Sequence, residues 1–305
     1  MTEIDSILNK IRKKEKNEAI EKLHDLYTAA DDKRTRIKIL RLLNEIKDNT
    51  HFEKIENYFI SDEDPDVRIE AAKLLAFHYS KQKNRAVSPL IWVLENETKQ
   101  EIKLTALQLL VPLAQKKEYR EKIIQSLKKM LFHEDDKLKM EAAQALGFLK
   151  EKSAINELSA LLKSPNRQVR IRATQALTEL KDFIPQSKII PLLIENLGQN
   201  SYDLWKYSFE ALKQFKVKEV LITDLIRILE NTEQNNDIEK IAYLRQGVIR
   251  ALGELESKRA IQFIINALKD WHYWVNDEAT IALDKIEPNW KKRYRYELKK
   301  KNIRI

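Results

Sequence analysis

A chain of 305 residues with 43% apolar composition and no cysteine has neither disulfides nor thiolate metal sites. Its four glycines are too few for the turns of a β-rich fold, whereas long helices joined by short turns need few. The net charge of +9 raises nucleic acid as a partner class; no apolar run reaches 18 residues and the first residues lack the apolar core of a secretory signal, so a cytoplasmic protein without membrane contact is expected.

In chain order, residues 1–16 place Ile4, Ile7, Leu8 and Ile11 on one helical face ahead of the charged run Arg12 to Lys16, and an N-terminal capping helix is predicted there. From residue 17 to residue 287 a nine-residue pattern then returns eight times. Its clearest copy is VRIRATQAL, from Val169 to Leu177; the others begin at Thr35, Val67, Ile102, Leu138, Leu204, Leu244 and Val275, and all eight end in Leu. Successive copies start 31 to 40 residues apart, a period that belongs to stacked helical repeats.

The first position of the nine is apolar in seven copies, the fifth is usually Ala, and the ninth is Leu throughout. Apolar residues at i, i+4, i+7 and i+8 share one helical face, and small ones let a neighbouring backbone approach to about 8 to 10 Å. Between these stretches lie second stripes such as Ile155, Leu158, Leu161, Leu162 and Ile261, Ile264, Ile265, Leu268. Each repeat therefore reads as a helix pair, at about 17–48, 51–81, 84–116, 118–150, 153–182, 187–217, 218–256 and 258–287. Pro89 and Pro191 stand at the same distance before the next copy, where proline bends or restarts a helix. The polar stretch 230–237 accounts for the longest spacing and is expected to project as a loop. From residue 288 onward, Trp290, Tyr294 and Leu298 recur on one helical face, which predicts a basic C-terminal capping helix over 288–305.

The Val-Arg-x-x-Ala-x-x-Ala-Leu cores, the aligned Pro89 and Pro191, and the turns Asp64-Pro65-Asp66 and Ser164-Pro165-Asn166 resemble the HEAT-repeat family, and more narrowly the short HEAT-like repeats of phycobilisome lyases. The resemblance covers about residues 17 to 287. It implies an all-α, right-handed α-solenoid of about eight helix pairs with terminal capping helices, in which the second helix of each pair lines the concave surface. It also makes the basic second position of the nine (Arg36, Arg68, Lys103, Lys139, Arg170, Arg245) a structural ladder that pairs with acids such as Asp66, Glu101 or Asp136 and with helix ends.

The charge is unevenly placed. The segment 288–305 holds eight Lys or Arg against one Glu, a net +7, which leaves +2 for the rest of the chain. The fourth and seventh positions of the nine, expected on the concave face, carry five basic and four acidic residues. A groove for duplex nucleic acid needs a run of cations facing phosphates, whereas charges of both signs suit a protein or peptide partner. Aromatic and Arg side chains, the usual interface hot spots, occur together between Arg172 and Trp274, so Arg172, Trp205, Tyr207, Arg250 and Trp274 are the predicted binding residues. The alternative is a basic patch at Lys291, Lys292, Arg293 and Arg295 that takes nucleic acid or another acidic partner.

Catalytic signatures are thin: the five histidines are scattered and only His133-Glu134 forms a His-Glu pair, unlike the four such pairs of the HEAT-like di-iron hydroxylases. No metal or cofactor is expected. Similarity to alkylation-repeat DNA glycosylases would put Trp205, Asp203 and Arg172 in one groove, and similarity to bilin lyases would imply a chaperone-like enzyme, but neither resemblance extends beyond the repeat. A non-enzymatic scaffold that binds a protein or peptide on its concave face is the expected function.

Overall fold

The computed structural model of the chain describes residues 16–46, 51–78, 85–232 and 239–303. The predicted N-terminal capping helix and most of the 230–237 insertion lie outside them. The described residues form helices and no strands, and they divide into two compact units, 1–149 and 150–305.

The first unit holds four helix pairs: α1 (Lys16–Ala29) with α2 (Lys33–Ile46), α3 (Phe52–Ser61) with α4 (Pro65–His78), α5 (Val87–Asn96) with α6 (Gln100–Leu113), and α7 (Lys117–Met130) with α8 (Asp136–Phe148). The second unit holds four more: α9 (Ile155–Leu161) with α10 (Arg167–Glu179), α11 (Gln186–Leu197) with α12 (Tyr202–Phe215), α13 (Lys218–Thr232) with α14 (Glu239–Glu254), and α15 (Ile261–Ala267) with α16 (Tyr273–Ile286). Two short helices, α17 (Trp290–Arg293) and α18 (Arg295–Lys300), end the chain.

Every nine-residue pattern falls inside the second helix of a pair, and its spacing accounts for the packing. The ninth-position leucines, from Leu43 through Leu283, are all 0% exposed, and so are the hydrophobic fifth-position residues Ile39, Ala71, Ala106, Ala142, Ala173, Val248 and Ala279. Ser208, which takes the fifth position in α12, is equally buried. This stripe packs each second helix on its own partner, and within a unit several second helices also pack on the next, as α4 does on α2 and α6, and α12 on α10. Two of the second helices start where a short polar side chain accepts the orphan N–H groups of the first turn: Asp135 accepts from Lys137 and Leu138 ahead of α8, and Asn166 accepts from Gln168 at 2.8 Å ahead of α10.

The two aligned prolines sit differently in their helices. Pro89 lies in the first turn of α5, where its missing N–H would have had no partner, whereas Pro191 lies well inside α11. A second departure from regularity is the contact of α14 with α11, the first helix of the preceding pair. A Cβ on Gly247 would stand 2.1 Å from the Leu197 carbonyl oxygen, and one on Gly198 would stand 2.8 Å from the Leu244 Cα. Only glycine admits that approach.

The C-terminal segment is two short helices broken at Tyr294 in place of the single helix predicted. Trp290 and Leu298 are buried, and the Trp290 indole N–H donates to Asp284 at 2.7 Å. Gln262 and Asn266 of α15 bond Glu297 and Lys301, so the segment covers the apolar side of the last pair.

Full burial at the ninth position yields a stability prediction. Leu177→Ala is expected to lower the unfolding free energy by about 2 to 5 kcal/mol, measured by urea denaturation followed by circular dichroism. An unchanged midpoint would show that Leu177 does not face the next repeat.

Candidate functional site

The basic second position of the nine forms the ladder that the resemblance implies, with different acids from those expected. Arg36 pairs with Asp62 at 3.2 Å and Glu63 at 3.3 Å, Arg68 pairs with Glu97, and Arg245 makes a two-pronged pair with Asp270 at 2.6 and 2.9 Å. Lys103 faces His133 Nε2 at 3.2 Å, and Arg170 donates to Gln199 Oε1 at 3.4 Å. Each principal partner stands five residues before the next pattern begins: Asp62 before Val67, Glu97 before Ile102, His133 before Leu138, Gln199 before Leu204, Asp270 before Val275. That position is the turn between the two helices of the next pair, within reach of the cation. Asp66 instead holds Lys33 at 2.7 Å, Glu101 is exposed, and Asp136 holds Lys139 at 2.8 Å within one helix, so none of the three expected acids carries a cross-repeat rung.

The partner residue also caps its own turn. Asp62 accepts from Asp64 N, Glu97 from Thr98 N and Lys99 N, and Asp270 from His272 N. Burial pushes the Glu97 carboxyl up, but the N–H groups of Lys99 and Thr98 together with the Arg68 guanidinium hold it below its ordinary value of 4.5. Periodicity reading looks at apolar spacing and misses these polar partners, although their fixed register is present in the sequence.

The five predicted binding residues do not form one surface. Arg172, Tyr207 and Arg250 lie on the successive second helices α10, α12 and α14, half-buried or exposed. Trp205 is corrected: it is 4% exposed, its ring stacks between Tyr202 and Phe209, and its indole N–H donates to Gly247 O at 2.9 Å. It stands at the second position of its pattern, where other copies carry the ladder cation, and serves the same cross-repeat role. With Trp205 enclosed, the grouping of Trp205, Asp203 and Arg172 presents no open aromatic ring.

Arg250 lies 5.3 Å from the Trp205 ring centre and donates through Nε to Glu278 at 3.0 Å, tying α14 to α16. Arg41 and Glu70 likewise join α2 to α4 at 3.4 Å. Charges at the fourth and seventh positions thus pair across repeats. Trp274 belongs to a different group, at the helix starts: it stacks on Tyr243 at 5.6 Å and meets His272 and Tyr273, with Trp271 and Tyr273 largely exposed beside it.

In the C-terminal patch Lys291, Lys292 and Arg295 are exposed, and Arg293 pairs with Glu287 at 2.6 Å. Among the described residues no cluster of three or more His, Asp or Glu has the arrangement to hold a metal ion, and no helix is long and apolar enough to cross a membrane.

Two predictions rest on the ladder. Asp270→Ala leaves the Arg245 guanidinium, 2% exposed, without its carboxylate, and a loss of about 3 to 5 kcal/mol is expected by chemical denaturation; an unchanged stability would show that the pair carries no net stabilisation. Because the folded Glu97 carboxyl lies below its unfolded value, its contribution is complete above about pH 4.5 and is lost as pH falls through the folded pKa. Glu97→Gln is therefore expected to flatten the fall in melting temperature below pH 4.5, and equal slopes for variant and parent would contradict this.

Comparison with known proteins bears on the whole architecture. A family model for HEAT repeats matches residues 20–111 and 121–213, and one for the PBS lyase HEAT-like repeat matches residues 244–270. No curated protein matches the sequence. Among solved structures, the Escherichia coli protein YibA is similar at 20% identity with a TM-score of 0.53, over 88% of this chain and 92% of that one. Kap121p, solved bound to Nup53p, is similar at 12% identity with a TM-score of 0.66, over 93% of this chain and 35% of its own. Importin beta is similar at 12% identity with a TM-score of 0.57, over 88% of this chain and 40% of its own. At such identities the likeness is one of fold. The helix pairs stacked within each unit and the HEAT model that matches more than half of the residues agree: the chain belongs to the HEAT-repeat family.

Proposed function

We propose that the protein is a non-enzymatic adaptor that binds a protein or peptide on the second-helix face of its second unit, 150–305. The observation that carries this reading is the composition of that face. Tyr207 and Glu210 stand exposed on α12, and Arg172 on α10 and Arg250 on α14 are half-buried at the same fourth and seventh positions of their patterns, a mixture of signs with an aromatic residue that suits a polypeptide. The positive charges there are already engaged, Arg250 with Glu278 and Lys213 with Glu210 at 2.8 Å, which leaves no run of open cations to follow a phosphate backbone. Extended surfaces made of successive helices are what stacked repeats offer to a partner chain, and the similar Kap121p was solved with Nup53p bound.

A second reading places the partner at Lys291, Lys292 and Arg295, whose side chains are exposed next to one another. A photo-crosslinking side chain at position 207 is expected to capture one discrete protein in cells, and Tyr207→Ala or Arg250→Ala to weaken its binding by at least about 1 kcal/mol in a calorimetric titration. Capture confined to a crosslinker at position 296, with binding that falls steeply as salt rises and is abolished by exchanging Lys291 and Lys292 for Glu, would establish the basic patch instead.

A further inference from the structure

The Arg170 rung departs from the other arginine rungs. Where Asp62, Glu97 and Asp270 bring a carboxylate to the ladder, the same register holds Gln199, whose only bond to Arg170 is the long one from Nη1. The Nε of Arg170 is buried without a hydrogen-bond partner among the described residues, and no carboxylate there lies within ion-pair distance. Glu195, the nearest acid in electrostatic effect, pairs with Lys240 at 3.0 Å. Burial consequently pulls the guanidinium below its ordinary range, with Glu195 opposing, yet arginine stays charged. A half-buried, unpaired cation is costly in a protein interior.

The same place holds a cavity of about 650 Å³, lined among others by Arg170, Asn196, Gln199, Lys240 and Tyr243. Asn196 is 2% exposed and its Nδ2 has no partner among the described residues. Two of the side chains that line the cavity thus carry a buried donor without a partner among the described residues, a guanidinium Nε–H and a carboxamide N–H. Arg36 Nε likewise makes no hydrogen bond, but the Asp62 carboxylate stands 3.2 Å from it, whereas no carboxylate stands so near Arg170. At the mouth, Tyr243 accepts from Asn200 at 3.2 Å and stacks on Trp274, which offers an aromatic surface to the body of a ligand.

We propose that this cavity is a carboxylate-binding site, in which a ligand carboxylate occupies the place that Asp62, Glu97 and Asp270 hold in the other rungs. Planar geometry selects the ligand: the Nε and Nη2 edge of arginine matches two carboxylate oxygens side by side, and the Asn196 amide supplies a third donor. Charge narrows it to a monoanionic group. The cations Arg170, Lys163 and Lys240 line the cavity together with Glu195 and Glu239, a net of one positive charge, so a dianionic phosphate meets two repelling carboxylates. The carboxylate source is a small organic acid or the C-terminus of a peptide. The site stands on residues separate from those of the proposed adaptor face, and its test does not depend on that reading.

The experiment uses the full-length chain labelled with nitrogen-15 and follows the Arg170 Nε–Hε and Asn196 side-chain amide resonances. Four probes are titrated: butyrate, a short peptide with a free C-terminal carboxylate, the same peptide amidated, and inorganic phosphate. Saturable shifts of both resonances with butyrate or the free-carboxylate peptide are expected, the tighter of the two identifying the source, with none from the amidated peptide. Gln199→Glu installs the missing rung acid; it is expected to weaken binding at least about tenfold while the melting temperature holds or rises. Arg170→Lys retains the charge but loses the two-pronged edge, and a comparable loss is expected. The proposal is overturned by the absence of shifts with either carboxylate probe, by phosphate binding as tightly as they do, or by wild-type affinity in either variant.

Discussion

A helix pair has no interior of its own, and the contact that gives it one is the stripe that each second helix lays against the next repeat. The leucine of the ninth position and the small or branched residue of the fifth lie on that seam, and their complete burial in all eight pairs reflects how little else is available. Burying one such leucine stabilises by roughly 1.5 to 3 kcal/mol, and the repetition of that increment holds each unit together. Because the contact is between neighbours, length changes in the turns do not propagate. The chain accommodates spacings from 31 to 40 residues without losing the stripe.

The seam is apolar along its centre and polar along its turn edge, where a single register does two things. Ahead of three of the patterns, the carboxylate five residues earlier, Asp62, Glu97 or Asp270, caps its own turn and receives the cation of the preceding repeat. Satisfying a turn N–H and a buried guanidinium with one carboxylate removes two unsatisfied groups at once, each of which costs about 1 to 3 kcal/mol when left alone. This economy makes the departures informative. Trp205 replaces the cation altogether and bonds a backbone carbonyl, whereas Arg170 keeps the cation and loses the acid. The first is a closed structural substitution; the second leaves donors facing a cavity.

The same accounting separates surface charge that holds the solenoid from surface charge that meets a partner. Arg41 with Glu70 and Arg250 with Glu278 bridge successive second helices, so much of the charge at the fourth and seventh positions stabilises the stack. Arg250 also packs against Trp205 and stays half-buried. Fold alone says nothing about chemistry in such an architecture, which many unrelated functions share.

Repetition explains how much was legible beforehand. Eight leucines in the same phase, with apolar partners four residues earlier, determine helix pairs and their stacking, because a helical stripe of that period can be buried in only one way. The basic second position was readable as a ladder for the same reason. Its acids were not, since Asp62, Asp66 and Glu101 look alike in sequence, and only the placement of the turns against the preceding helix decides which of them a guanidinium reaches. Trp205 shows the other limit: an aromatic at the edge of a stripe reads as equally suited to a surface or a seam, and the close approach of α14 to α11 through Gly198 and Gly247 settles it as a seam. Local periodicity thus determined the helix-pair architecture, while the distances between side chains far apart in sequence, which carry the rungs, the enclosed Trp205 and the open Arg170, exist only once the pairs are stacked.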